Sequence, residues 1–279
     1  MKYLLSFLAI LTLATMACGF SVNIPSVPTP GPDVTDEITV AVPDFEETRL
    51  KISFGAGELT LSPGADDFLV EGTATYNVPN FEPEVKIDGH TVEIKQGDFK
   101  TINVTDFKNE WDLMLDDTPM ELEINAGAYQ GRYEFGGLAL TDLTIKDGAS
   151  DVEVSFSEPN RTEMSVFRYE TGASNVELTG LANANFSTLI FNGGAGDYTL
   201  DFGGELQQDT TARIETGFGD LTLVIPEDVD ARVTVEGGAI NVNHDSGWGQ
   251  SNSTYTQDSS GPTLKIIVKM GAGNVSITD

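Results

Sequence analysis

The sequence predicts an all-β chain built as a β-solenoid, a parallel β-helix-like stack of glycine-punctuated turns of about 22 residues. Three observations predict it. One pattern recurs along the chain: Gly-small-Gly/Ser, an acidic or amide residue, then apolar-polar-apolar. Copies beginning at Gly148, Gly172, Gly194 and Gly217 start 24, 22 and 23 residues apart, inside the period band of repeat architectures. No long stretch places apolar residues at the 3.6 spacing of a helix.

Each copy can be read residue by residue. In Gly194-Ala195-Gly196-Asp197-Tyr198-Thr199-Leu200, the alternation after the corner is the period-2 signature of a strand with one buried face. The glycines allow a sharp turn, and Asp197 can bond to nearby backbone as turn residues do. The segments starting at Gly55, Gly148, Gly172, Gly217 and Gly271 repeat this, and Gly237-Gly238-Ala239-Ile240-Asn241-Val242 is a degenerate copy. Between copies lie further alternating segments, such as Thr162 to Tyr169. One repeat is thus two or three short strands joined at glycine corners, and stacking buries an inner face that one turn alone cannot. A β-sandwich also uses short strands and Gly/Pro turns, and it is the alternative fold.

The chain opens with Met1-Lys2-Tyr3, an apolar run from Leu4 to Leu13, and Ala14-Thr15-Met16-Ala17-Cys18. About ten apolar residues are too few to span a bilayer but suit the core of a secretory signal. Ala17 before the sole cysteine resembles the lipobox of bacterial lipoproteins. That resemblance implies a signal peptide over 1–17, lipidation (palmitate) at Cys18, and a bacterial protein anchored outside the cytoplasmic membrane. Pro25, Pro28, Pro30 and Pro32 then favour extended polyproline II, so residues 18–39 read as a stalk.

Composition bounds the partners. With 44 Asp+Glu against 15 Lys+Arg the net charge is −29, a field that repels nucleic acid and anionic lipid. One cysteine and two histidines leave no thiolate or imidazole zinc site. At 39% hydrophobic, with 29 glycines, the chain still has material for a sizeable core.

At this point a family resemblance enters. Phe54-Gly55-Ala56-Gly57-Glu58-Leu59, Leu69-Val70-Glu71-Gly72, Glu82-Pro83-Glu84-Val85 and Asn109-Glu110-Trp111-Asp112-Leu113 resemble the N-terminal module of the bacterial toast-rack family. The later copies, ending Val224-Ile225-Pro226, resemble the C-terminal domain of LiaF-type envelope-stress proteins and adhesin-like repeats. The resemblance implies a toast-rack module over 40–128, a continuous LiaF-like or adhesin-like β-solenoid over 129–279, and no catalytic residues to carry over.

Sites of chemistry are sparse. No glycine segment completes G-x-G-x-x-G, because Thr60 and Thr199 stand at the last position, and each leads into a strand rather than the helix a phosphate site needs. Calcium, an oxygen-seeking cation, is left Asp66-Asp67, Asp116-Asp117 and Glu227-Asp228-Asp230, which read first as solvated turns. The basic residues Lys86, Arg132, Arg168 and Arg213 are scattered, and His90 reads as a turn residue. Trp111 reads as a packing anchor. The longest break in the repeat, Asn243 to Gly261, carries Trp248 and Tyr255. These two form a possible ligand-contact loop for a sugar ring, set against a ring folded back on the end of the stack.

The expected function is therefore non-enzymatic, with no cofactor: a lipid-anchored envelope scaffold or stress-response accessory that docks on a membrane protein. A surface adhesin or glycan-binding module is the alternative, and a carboxylate-dependent polysaccharide-active enzyme stands third. An uncapped stack end exposes edge groups, so end-to-end self-association is also expected.

Overall fold

The computed structural model describes residues 30–97 and 106–279. Cys18, the leader and most of the proline-rich segment lie outside the described residues. In chain order the strands are β1 (Val34–Val40), β2 (Thr48–Pro63), β3 (Val70–Tyr76), β4 (Pro83–Asp88), β5 (Thr91–Gln96), β6 (Asn109–Leu115), β7 (Met120–Glu134), β8 (Leu140–Lys146) and β9 (Ala149–Ser155). They continue as β10 (Met164–Ala173), β11 (Asn175–Thr179), β12 (Phe186–Asp201), β13 (Thr210–Val224), β14 (Asp230–His244), β15 (Gly249–Ser251), β16 (Thr254–Gln257) and β17 (Thr263–Thr278). Among the described residues the only helical element is a single 3-10 turn at Pro79–Phe81. The chain is all-β. The first strand begins at Val34, inside the segment expected as stalk, because Ile38 and Val40 alternate onto the core. The boundary expected at 128/129 falls within β7, so the two modules are joined by one continuous strand.

The long strands explain what the glycine motif does. In β2 the buried large apolar residues are Leu50, Ile52 and Phe54, then Leu59 and Leu61. The parity changes across Gly55-Ala56-Gly57, and in a straight strand the two sets would point to opposite faces. All five sit in one core, so the strand folds over at the motif. The same change occurs in β13, between Ile214 and Leu221, and in β17, between Val268 and Val275. Residues before the motif form a first arm and residues after it a second arm.

Layers then pair in parallel, motif upon motif. β12 pairs with β13 from Thr188↔Thr211 through Gly196↔Gly219 to Asp201↔Val224, an offset of 23 residues. The ladders β7–β8–β10–β12–β11–β9 close a ring, all parallel. It closes because β7 and β12 run unbroken through their corners, while the two layers between them are each split in two. Chain order and spatial order part company at both ends. β2 lies between β7 on one side and β5 and β6 on the other. β17 slots between β13 and β14, so β14 is the last layer. Antiparallel strands close the ends: β4 on β5 and β3 on β6 at one, the β15–β16 hairpin on the first arm of β14 at the other.

The corner glycines form a column through these layers. A Cβ on Gly217 would meet the carbonyl oxygen of Gly194 at 2.6 Å, and one on Gly271 would meet that of Gly217 at 2.5 Å. Layers about 4.8 Å apart leave no room there for a methyl group. Inside, the core is continuous from Ile38 to Ile277, with aromatic rings stepping along it, such as Phe156–Phe167 at 6.0 Å and Tyr169–Phe191 at 5.5 Å.

Candidate functional site

Four places bear on function. The first is an acidic cleft of about 490 Å³ at the far ends of the second arms of β2, β6, β7 and β9. It brings together Asp66, Asp116 and Asp117, which the sequence offered as separate pairs, and adds Glu158 and Arg161. Arg161 already forms an ion pair with Asp117, and Asp116, 8% exposed, accepts the Thr118 amide at 2.8 Å. Beside the cleft, burial pushes the Glu134 carboxyl upward, but hydrogen bonds from Ser155, Ser157 and Gly136 outweigh it and hold the group below the usual range. Asp228 and Asp230, from the third acidic run, lie elsewhere: the Asp230 carboxylate accepts a hydrogen bond from Thr263 at 2.8 Å, and Ser259 donates to the backbone carbonyl of Asp228. Among the described residues no three His, Cys, Asp or Glu side chains converge as a metal ion requires.

The second place is the inner corner. Asp147 accepts hydrogen bonds from Tyr169 at 2.8 Å and from Thr171. Nearby, Tyr133 donates to Tyr129 at 3.0 Å, and Ser150 meets Ser174 at 2.9 Å. Burial raises the Tyr129, Tyr133 and Tyr169 phenols, with Asp147 adding to each, and pushes Tyr198 up to about 12. These phenols stay protonated at ordinary pH, so they can donate hydrogen bonds to a carboxylate but do not serve as bases. The sequence showed these residues only as alternating strand positions.

Third comes the break that carries Trp248 and Tyr255. Their rings are 6% and 5% exposed and belong to the core, and Tyr255 packs on His244 with centroids 5.2 Å apart. The loop after β14 and the β15–β16 hairpin lay both rings over the open end of the core. Trp111 is 1% exposed against Phe54 at 5.3 Å, and His90 lies in the β4–β5 turn after Gly89 (φ 61°).

The fourth is the sorting of charge between faces. Arg49, Lys51, Lys95, Lys146, Arg168, Arg213, Arg232, Lys265 and Lys269 all lie on first arms, at positions alternating with the core. On second arms Arg132 is the one Lys or Arg among the described residues, against Glu58, Glu110, Asp112, Asp151, Glu153, Glu177, Asp197 and Asp220. Of the basic residues that look scattered along the chain, Arg168 and Arg213 therefore gather with others on the first-arm side, whereas Arg132 stands on a second arm. A layer offset of 22 to 24 residues, as in Arg168↔Ile190↔Arg213, places distant residues in one column. Where this face meets the corner, an open groove of about 790 Å³ runs across β12, β13, β17 and β14.

The protein these features define is an all-β body of parallel ladders with filled layers, one acidic face and one mixed-charge face. It belongs to the toast-rack family: residues 29–179 match the family described as the N-terminal domain of toast_rack, DUF2154. That match runs through β7 into β11, past the boundary expected at residue 128. Among solved structures, a candidate cell adhesion protein from Clostridium sporogenes shares the fold with a TM-score of 0.51. Its identity is 20%, over 88% of this chain and 99% of that one. A candidate adhesin from Bacteroides fragilis has a TM-score of 0.44 at 11% identity, over 88% and 97% of the two chains. No curated protein matches this chain significantly. Among the described residues no helix is long and apolar enough to cross a membrane.

Proposed function

We propose that this is a non-enzymatic, extracytoplasmic envelope protein, anchored by lipid on Cys18, that acts through contact with a membrane protein as a scaffold or stress-response accessory. We read its body, from β7 to β13, as a β-solenoid in which each successive layer is added in chain order. The observation that carries the reading is the sorting of charge onto two extended faces of a rigid, filled stack. Such a body offers area for docking rather than an enclosed chamber for a substrate. Crosslinking the full lipidated protein in intact cells, then identifying what co-purifies, tests it. A defined integral membrane protein is expected, and wall or capsule glycan with no protein partner would overturn it. Cys18→Ala should release the chain from the membrane fraction.

A second reading, a surface adhesin or glycan-binding module, draws support from the open groove at the corner. The Clostridium structure adds a shared fold and nothing finer. Removing residues 244–260 would take two rings out of the core, so this reading is better tested by surface substitutions beside the groove.

A further inference from the structure

The C-terminal end of the first-arm face holds three cations that form no ion pair among the described residues. Arg213 on β13, Lys265 on β17 and Arg232 on β14 are all exposed. Lys265 and Arg232 are directly paired in register, and Arg213 stands beside Ile267, two residues along. Paired strands lie about 4.8 Å apart, a separation at which like charges repel. Other cations of this face are paired: Lys269 reaches Glu215 at 3.3 Å and Arg168 reaches Glu170 at 3.6 Å. Among the described residues Arg213, Lys265 and Arg232 make no such pair. In a chain with 44 acidic residues against 15 basic ones, three neighbouring cations that form no ion pair, with Glu215 and Asp230 two residues away on the same strands, break the local consistency that stability alone would favour, and such breaks concentrate at functional sites.

Farther along the same strands lies the corner groove. Glycines floor it, and Asn192, Glu215, Glu236 and Lys269 supply its polar groups. Next to groove-lining Gly217 stands Phe218, 67% exposed. Ala195 and Ala272 hold the same register position in the layers on either side, so the ring rises from a row of methyl groups. Thr216 also lines the groove, is 6% exposed, and its Oγ1 has no hydrogen-bond partner.

We infer that this corner binds an acidic polysaccharide. A sugar ring presents an apolar face to Phe218, its hydroxyls meet Asn192, Glu215 and Glu236, and its acid groups reach Arg213, Lys265 and Arg232. A purely acidic peptide would be served by the cations alone. The glycine floor, and the exposed Phe218 ring one residue beyond it, add what a flat, hydroxyl-rich ring needs. The net charge of −29 repels polyanions at long range, but a Debye length of about 8 Å at physiological salt confines that repulsion, so recognition acts at contact distance. The inference deepens the glycan-binding reading and rests on it.

The test is binding of the full chain to polygalacturonate, to neutral dextran and to poly-glutamate. It compares the wild type with a triple variant (Arg213→Ala, Lys265→Ala, Arg232→Ala) and with Phe218→Ala. Unchanged thermal unfolding certifies these surface variants as folded. The expected result is a preference for polygalacturonate, reduced at least about tenfold in the triple variant and several-fold in Phe218→Ala. Equal binding of poly-glutamate, or polygalacturonate binding indifferent to both variants, overturns the inference. Dextran bound as well as polygalacturonate, by wild type and triple variant alike, overturns the acidic-ligand inference and leaves glycan binding standing. No binding to either polysaccharide overturns both.

Discussion

The inner layers β13 and β17 and the end layer β14 share one register but not one corner. Gly219 on β13 and Gly273 on β17 are paired and have φ near 130° and 143°. The corresponding residue on β14 is Ile240, which is not among the residues with positive φ. Inner layers are pressed from both sides, and a Cβ at Gly219 or Gly273 would collide with the carbonyl of the layer before. At its corner the end layer has a neighbour on one side only, so its backbone can relax and accept a branched side chain. In β13 and β17 the glycine requirement therefore comes from the stacking as well as from the turn, whereas β7 and β9 hold Tyr129 and Ser150 at the register position of Gly57 without positive φ.

The comparison can be broken most severely through the core. Trp111→Ala, in a strand paired on both sides, should cost about 3–5 kcal/mol. Trp248→Ala, at the cap, should fall at or below the bottom of that range because the end can settle into the space. Equal losses in urea unfolding would mean that the cap is packed as tightly as the interior. Next in size, Gly219→Ala should destabilise by about 1–3 kcal/mol through backbone conformation and contact. Ile240→Ala should cost less, about 1 kcal/mol, since the side chain is only half-buried. If the two are equal, the stacking explanation of the glycine column fails.

A third test is a pH dependence. The Tyr198 phenol is raised from 10 to about 12, first by burial and then by Asp147 and Asp197. The folded state then holds this proton more tightly than the unfolded state, so its contribution is complete below pH 10 and is lost as pH rises toward 12. Unfolding free energy measured at rising pH should fall across that window. Tyr198→Phe should flatten part of the fall, and an unchanged profile would remove Tyr198 as a cause.

Much of the scaffold is legible in the sequence. Gly194-Ala195-Gly196 and its kin announced corners, alternation announced strands, and Trp111 announced an anchor. The spatial order of the last layers is not readable, because the motif at Gly271 fits a slot between β13 and β14 as well as one beyond β14. Nothing local distinguishes the two. The sorting of charge was hidden for a related reason: Arg232 and Lys265 are 33 positions apart, and a search for clusters along the chain passes over them. Trp248 and Tyr255 carried a real signal, that of rings placed in a polar loop, but sequence could not say which side of the loop they would face.

The insertion of β17 between β13 and β14 carries a consequence for assembly in time. During synthesis the segment Asp230–His244 is complete before Thr263–Thr278 exists, and until then the edge of β13 that β17 will occupy stands open to it. Pairing it early with β13 would fill the slot reserved for β17 and trap the chain one layer short, a misregister that the matching motifs do nothing to prevent. Order at this end of the molecule therefore depends on holding a strand in reserve, and β15 and β16, folded against β14 by local contacts, are placed to do the holding.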